Sequence, residues 1–422
     1  MTSKPKTLAT KEEANPARVP KLRFPEFRDA EGWVAKTFDE LFTIGNGKDY
    51  KHLEAGDVPV YGSGGYMLSV NDYLHDGESV CIGRKGTIDN PMFLTGRFWT
   101  VDTLFYTHSF KDCLPKFIFA VFQQIDWLKH NEAGGVPSLS KTNIQKIQTT
   151  VPTPAEQQKI AECLSSVDEL MAAQARKVDA LKTHKKGLMQ QLFPREGEAA
   201  PRLRFPEFRD AGEWESTTVG GLVQSGCLFP PKDGNHGNIH PKSSDYVTRG
   251  IPFIMASDLN GGLIDIENCH FISKEQAETL QKGFAKEGDV LLSHKGTVGE
   301  VAVVRKINTP YLMLTPQVTY YRVKDRDRLS NEFLAQLFVS DAFQSNLVEV
   351  SGGGTRAYIG ITEQAKLRLQ LPDDVEEQQR IASCLSSIDA LVAAEIRKLE
   401  ALKTHKKGLM QQLFPSLEEG TA

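Results

Sequence analysis

Between Ile160 and Leu192 apolar residues recur at alternating steps of four and three. Ile160, Val167, Gln174, Leu181 and Leu188 fall at heptad position a, and Leu164, Met171, Val178, Lys185 and Leu192 at d, so eight of the ten are apolar. That spacing is the seam of a coiled coil. A second stretch repeats it, with Ile381, Ile388, Glu395, Leu402 and Leu409 at a and Leu385, Val392, Leu399, Lys406 and Leu413 at d. Its polar exceptions fall at the same places. Pro152, Pro154 and Pro372 precede the two stretches, and each ends at Phe-Pro, where helix continuation stops. The pattern predicts two helices of about 35 residues, each roughly 50 Å long. Their shared interruptions favour pairing with each other over burial in separate bundles. Gln174, Glu395, Lys185 and Lys406 read as register or partner devices.

Outside these stretches the pattern is shorter. Residues 288–304 (GDVLLSHKGTVGEVAVV) predict two strands around a glycine-containing turn, and residues 77–93 are a weaker counterpart. Residues 116–131 and 331–350 have helical periodicity, and a glycine-rich loop follows each. The fold class is therefore α/β (α+β): a mixed domain of roughly 120–160 residues, used twice.

The helices belong to a tandem repeat. Residues 156–194 and 377–415 agree at 30 of 39 positions, and Leu181–Pro194 recurs letter for letter at Leu402–Pro415. An entry word, PKLRFPEFRDAEGW ending at Trp33, returns as PRLRFPEFRDAGEW ending at Trp214. The two blocks between entry word and helix share only scraps, such as GRKGT at 83–87 against SHKGT at 293–297. The expected division is a disordered lead-in (1–18), a first variable domain (19–154), a helix (155–194), a linker (195–200), a second variable domain (201–375), a helix (376–415) and a tail (416–422). Kept frames with diverged blocks imply one job done twice on different targets.

Composition narrows the class. Apolar content of 40% and charged content of 25% are ordinary for a soluble protein. No apolar run reaches membrane length, and the polar start is not a secretory signal. Six dispersed cysteines without a Cys-x-x-Cys pair predict free thiols in a reducing cytoplasm and no zinc. A net charge of −4 still permits a local basic face that binds nucleic acid.

Candidate DNA contacts cluster at the turns: Arg84, Lys85 and Thr87 in the first block, His294, Lys295 and Thr297 in the second. Ser138, Ser140 and Lys141, and Thr355 and Arg356, follow the glycine-rich loops. Glycines let a backbone approach phosphate, and Arg or Lys neutralises it. The last third of each helix is also basic: Arg176–Lys186 and Arg397–Lys407 each carry five positive charges and one negative. No catalytic set is complete. Asn90–Phe93 lacks the second proline of an amino-methyltransferase motif, Phe42–Gly47 has the wrong spacing for a methyl-donor loop, and no phosphate-binding Gly-Lys-Ser/Thr loop occurs.

On these words the chain resembles the specificity subunits of type I restriction–modification systems. The resemblance rests on Pro152–Asp168, its looser copy at Pro372–Asp389, the doubled LKTHKKGLMQQLFP and LRFPEFRDA, with PVYGSGG at 59–65 similar to one common type of target recognition domain. It implies that each block reads one half of a split DNA site and that the two helices pack antiparallel as a spacer. It implies partners as well: two modification subunits using S-adenosylmethionine, and two translocase–endonuclease subunits using ATP and magnesium. The chain itself would hold no cofactor and no catalytic residue. The principal alternative is a two-headed DNA-binding regulator without enzyme partners; another is a scaffold joining two ligand-binding modules.

Overall fold

The computed structural model describes residues 19–352 and 358–415. The expected lead-in and tail, and the candidates Thr355 and Arg356, lie outside the described residues. Both heptad stretches are continuous α-helices, Pro154–Leu192 and Val375–Leu413. Every a and d residue named above is buried or half-buried.

The chain divides into two compact units: the described residues up to Ala175 with those from Arg397, and Arg176–Ile396. Each unit therefore holds half of each long helix. In the first, Ile160 and Leu164 pack with Leu409, Met410 and Leu413, while Asp168 pairs with Lys406 at 2.7 Å. In the second, Leu192 and Met189 pack with Ile381 and Leu385, while Lys185 pairs with Asp389 at 2.7 Å. Rising numbers on one helix meet falling numbers on the other, so the halves run antiparallel. The polar d positions thus carry the same Lys–Asp pair in both units. Such half-exposed pairs contribute about 0–1 kcal/mol each, so they specify register more than they stabilise. Glu395 is buried at its a position and accepts from Lys177 at 3.0 Å.

In the first unit, the strand Val34–Thr37 pairs antiparallel with Gln148–Val151 and closes the variable block. Inside it are two four-stranded sheets. One runs in the order 43–46, 104–108, 79–83, 92–94; the other runs 65–70, 55–62, 97–100, 75–76, with 55–62 and 97–100 parallel. Helix Pro115–Phe122 packs on the first sheet, and its apolar face joins Phe38, Phe42 and Trp127 in the core. The helical pattern read to residue 131 breaks after Phe122, where the Trp127 indole donates back to the Phe122 carbonyl at 2.9 Å.

The second unit repeats this plan. Glu215–Thr218 pairs with Arg368–Leu371. A four-stranded sheet runs 232–233, 318–321, 290–293, 301–303, so the predicted strands of 288–304 form a hairpin. A five-stranded sheet again contains one parallel pair, Ile251–Ile254 with Leu312–Leu314. The pattern over 331–350 is two helices, Asn331–Val339 and Asp341–Val350. Ser340 divides them, because its hydroxyl donates to the Leu337 carbonyl and accepts from the Phe343 amide, which caps a new helix. Among the described residues no helix is long and apolar enough to cross a membrane, and all six cysteines are unpaired.

Candidate functional site

The repeated words meet in space. In the first unit the Arg23 guanidinium grips the Glu156 carboxylate through two bonds of 2.8 and 2.7 Å, with both side chains buried. The same guanidinium donates to the Ala30 and Glu31 carbonyls, and the Trp33 indole donates to Glu156 at 3.2 Å. In the second unit Arg204 holds Glu377 through two 2.7 Å bonds and donates to the Ala211 and Gly212 carbonyls. The next residue of each helix is equally fixed. Gln157 donates to the Pro152 and Asp112 carbonyls and accepts from the Leu114 amide; Gln378 donates to Pro372 and Arg328 and accepts from Ser330. The exit word closes the same socket. Phe414 stacks on Phe117 and meets Trp33 edge-on, as Phe193 stacks on Phe333 and meets Trp214. The Leu22 amide donates to Gln412, and Leu203 to Gln191, each at 2.9 Å. Entry word, helix start and exit word thus form one socket that holds a variable block.

Each unit also carries a basic turn. Lys85 bridges Ser138 in the first unit, and the Leu139 amide donates to the Arg84 carbonyl at 2.9 Å. In the second, Lys295 bridges Tyr358, and the Ile359 amide donates to the His294 carbonyl at 3.1 Å. The turn and the segment after the glycine-rich loop are therefore brought together in both units by the same backbone pairing. Arg84, Lys85 and Thr87 are exposed, as are Lys295 and Thr297. Arg84 lies over the Phe105 ring and Lys295 over the Tyr358 ring, both at 5.9 Å. These cations are available to phosphate.

Burial sets one candidate apart from the others. His294 is fully buried, its ring bonded to Thr319 at 2.8 Å, so the expected DNA contact is corrected to a core residue. Burial pushes its pKa down to about 4, which keeps it neutral. Ser140 caps the short helix Lys141–Gln145 and donates to Glu132, and so shapes the loop. Lys141 is half-buried at the start of that helix.

Sequence reasoning missed the Arg23–Glu156 and Arg204–Glu377 pairs. Their signal was present as unexplained identity, Arg in both entry words and Glu-Gln at both helix starts. Socket contacts account for the Gln-Leu-Phe-Pro end of the verbatim word but not for its beginning. Lys182, Thr183, His184 and Lys186 are exposed, and so are Lys403, Thr404, His405 and Lys407. One solvent-facing surface is therefore displayed twice.

The family model of the type I restriction modification DNA specificity domain matches residues 30–183 and again 212–404. The type I restriction enzyme MjaVIII specificity subunit of Methanocaldococcus jannaschii is 24% identical over 362 residues, covering 82% of this chain and 79% of that protein. The solved S subunit of a type I restriction–modification system from M. genitalium shares the fold with a TM-score of 0.63 at 14% identity, covering 94% of this chain and 100% of that one. A chain from a structure on assembly of the type I R-M system gives 0.52 at 16% identity, covering 91% and 98%. With its specificity domain matched twice across most of its length, the chain belongs to the type I restriction–modification specificity family.

Proposed function

We propose that each variable block reads one half of a bipartite DNA site, and that the paired helices set the spacing between halves. The helices also present the exposed Lys182, Thr183, His184 and Lys186 and their copies Lys403, Thr404, His405 and Lys407 to two modification subunits. Two translocase–endonuclease subunits complete the restriction complex. S-adenosylmethionine, ATP and magnesium serve those partners, in the cytoplasm. The observation that carries this reading is the contrast between two sockets built from the same contacts and two blocks that share almost no sequence. A regulator working without partners has no need for an exposed surface repeated residue for residue, so that surface favours the complex.

The test is a block exchange. Replacing Ala35–Thr150 with the corresponding block of another family member, in the assembled methyltransferase, changes one half of the methylated sequence and leaves the other half intact. A change in both halves refutes independent reading, and robust methyl transfer by the chain alone refutes the non-catalytic role.

A further inference from the structure

Beside the Lys295 turn the second unit has a cleft that neither the repeat nor the socket explains. Its volume is about 310 Å³, and its walls include His236, His240, Met255, Lys295, Thr315 and Gln317. Thr315 is 2% exposed, yet its hydroxyl has no hydrogen-bond partner. The His240 imidazole lines the same cleft and interacts with the Asn235 backbone. A buried hydroxyl without a partner is costly unless a ligand or a water completes it.

The surroundings indicate what that ligand is. The Asp233 carboxylate is 3% exposed and pairs with His236 at 2.6 Å and with Lys282. Burial opposes its ionisation, but these partners outweigh burial and hold its carboxyl below the ordinary value. With His236 engaged by that carboxylate, Lys295 is the one lining side chain with a permanent positive charge. Burial also pushes the His240 imidazole down, so it enters as a neutral group. Apolar walls from Met255 and Pro316, with neutral directional donors and acceptors, suit the edge of a nucleobase. Lys295, at the rim, suits the adjoining phosphate.

The first unit fills the same place differently. After the parallel pair Tyr61↔Thr100, the Val101 amide donates to the Tyr61 carbonyl; after Ile254↔Leu314, the Thr315 amide donates to the Ile254 carbonyl. Val101 therefore stands where Thr315 stands. A Cβ on Gly62, one residue after Tyr61, would lie 3.0 Å from Met67 Sδ and 3.5 Å from Val101 Cγ2, so this corner is apolar. Two blocks that differ in polarity at one matched position are expected of readers with different targets.

We propose that the Thr315–His240 cleft is a base-reading pocket of the second block, with Lys295 anchoring the backbone beside it. This rests on the reading of the blocks as half-site readers. The test uses the complete methyltransferase complex on a library of duplexes randomised through both half-sites, scored by methylation rate. Thr315→Val, close in shape, and His240→Ala each relax the preference at one position of the second half-site by about 5- to 150-fold. The first half-site keeps its preference, and Thr315→Ser retains the original one. Lys295→Ala slows methylation on all sequences alike and lowers the salt slope by about one. Uniform loss of rate in Thr315→Val and His240→Ala, with base preference unchanged and thermal melting as in the parent, overturns the pocket. If the unaltered complex shows no bipartite preference, the broader reading fails instead.

Discussion

Removing Arg23 strands a buried charge, and the cost follows from its contacts. Glu156 is 1% exposed and receives two short bonds from Arg23. In Arg23→Met the Trp33 indole, at 3.2 Å, is the one side-chain donor left to it among the described residues. Breaking a buried pair on one side costs about 3–5 kcal/mol. At roughly 2–4 °C per kcal/mol for a unit of this size, melting falls by about 6–20 °C. Glu156→Leu costs less, because Arg23 keeps the Ala30 and Glu31 carbonyls. The double variant, which removes both charges, costs less than the sum of the singles, with a coupling of about 2 kcal/mol or more. The assay is urea unfolding followed by tryptophan fluorescence, to which Trp33, beside the pair, contributes directly. A loss below about 1 kcal/mol in Arg23→Met, or strict additivity in the double variant, refutes the view that this pair clamps the block to the helix.

Two further outcomes follow from contacts already described. The pKa of His294 is depressed in the folded state, so between about pH 6.5 and its folded value of about 4 the unfolded chain takes up a proton that the folded chain refuses. Its contribution is intact above pH 6.5 and decays as pH falls: His294→Asn lessens the drop in unfolding free energy between pH 7.5 and 4.5 by about 2–3 kcal/mol, and an identical pH dependence in both proteins refutes this. Inserting four residues after both Gln174 and Glu395 adds roughly 6 Å and a net turn of about 40°, against about 3.4 Å and 35° for a base pair; methylation mapping is expected to show a spacer longer by one or two pairs with both half-sites unchanged, and an unchanged spacer at full activity refutes the helices as the ruler.

The long helices were legible because a heptad seam is local and repeats. The polar exceptions at Lys185 and Lys406 read as register or partner devices, and they pair with Asp389 and Asp168. The hairpin at 290–303 was legible because both strands flank one turn. What could not be read were contacts between distant segments. Arg23 and Glu156 are 133 residues apart, and no periodicity connects them. His294 sits in a Ser-His-Lys-Gly turn that reads as exposed, and only Thr319, from the neighbouring strand, shows it to be core. The Thr315 cleft was equally hidden, since a threonine before a proline reads as loop punctuation until its hydroxyl is found buried without a partner. Ser340 shows the reverse limit: helical periodicity continued across it, while its capping hydroxyl interrupted the helix.

The twin sockets have a consequence for heredity. A block is gripped by Arg, Glu, Gln, Trp and Phe that the frame supplies, and the frame supplies them identically at both stations. A gene conversion that replaces one block therefore inherits a working seat without any compensating change. The near-identical words flanking each block mark matched boundaries at which one block can stand in for another. A lineage holding a modest pool of blocks can then compose a number of two-part specificities that grows as the square of the pool, while selection on the frame stays constant.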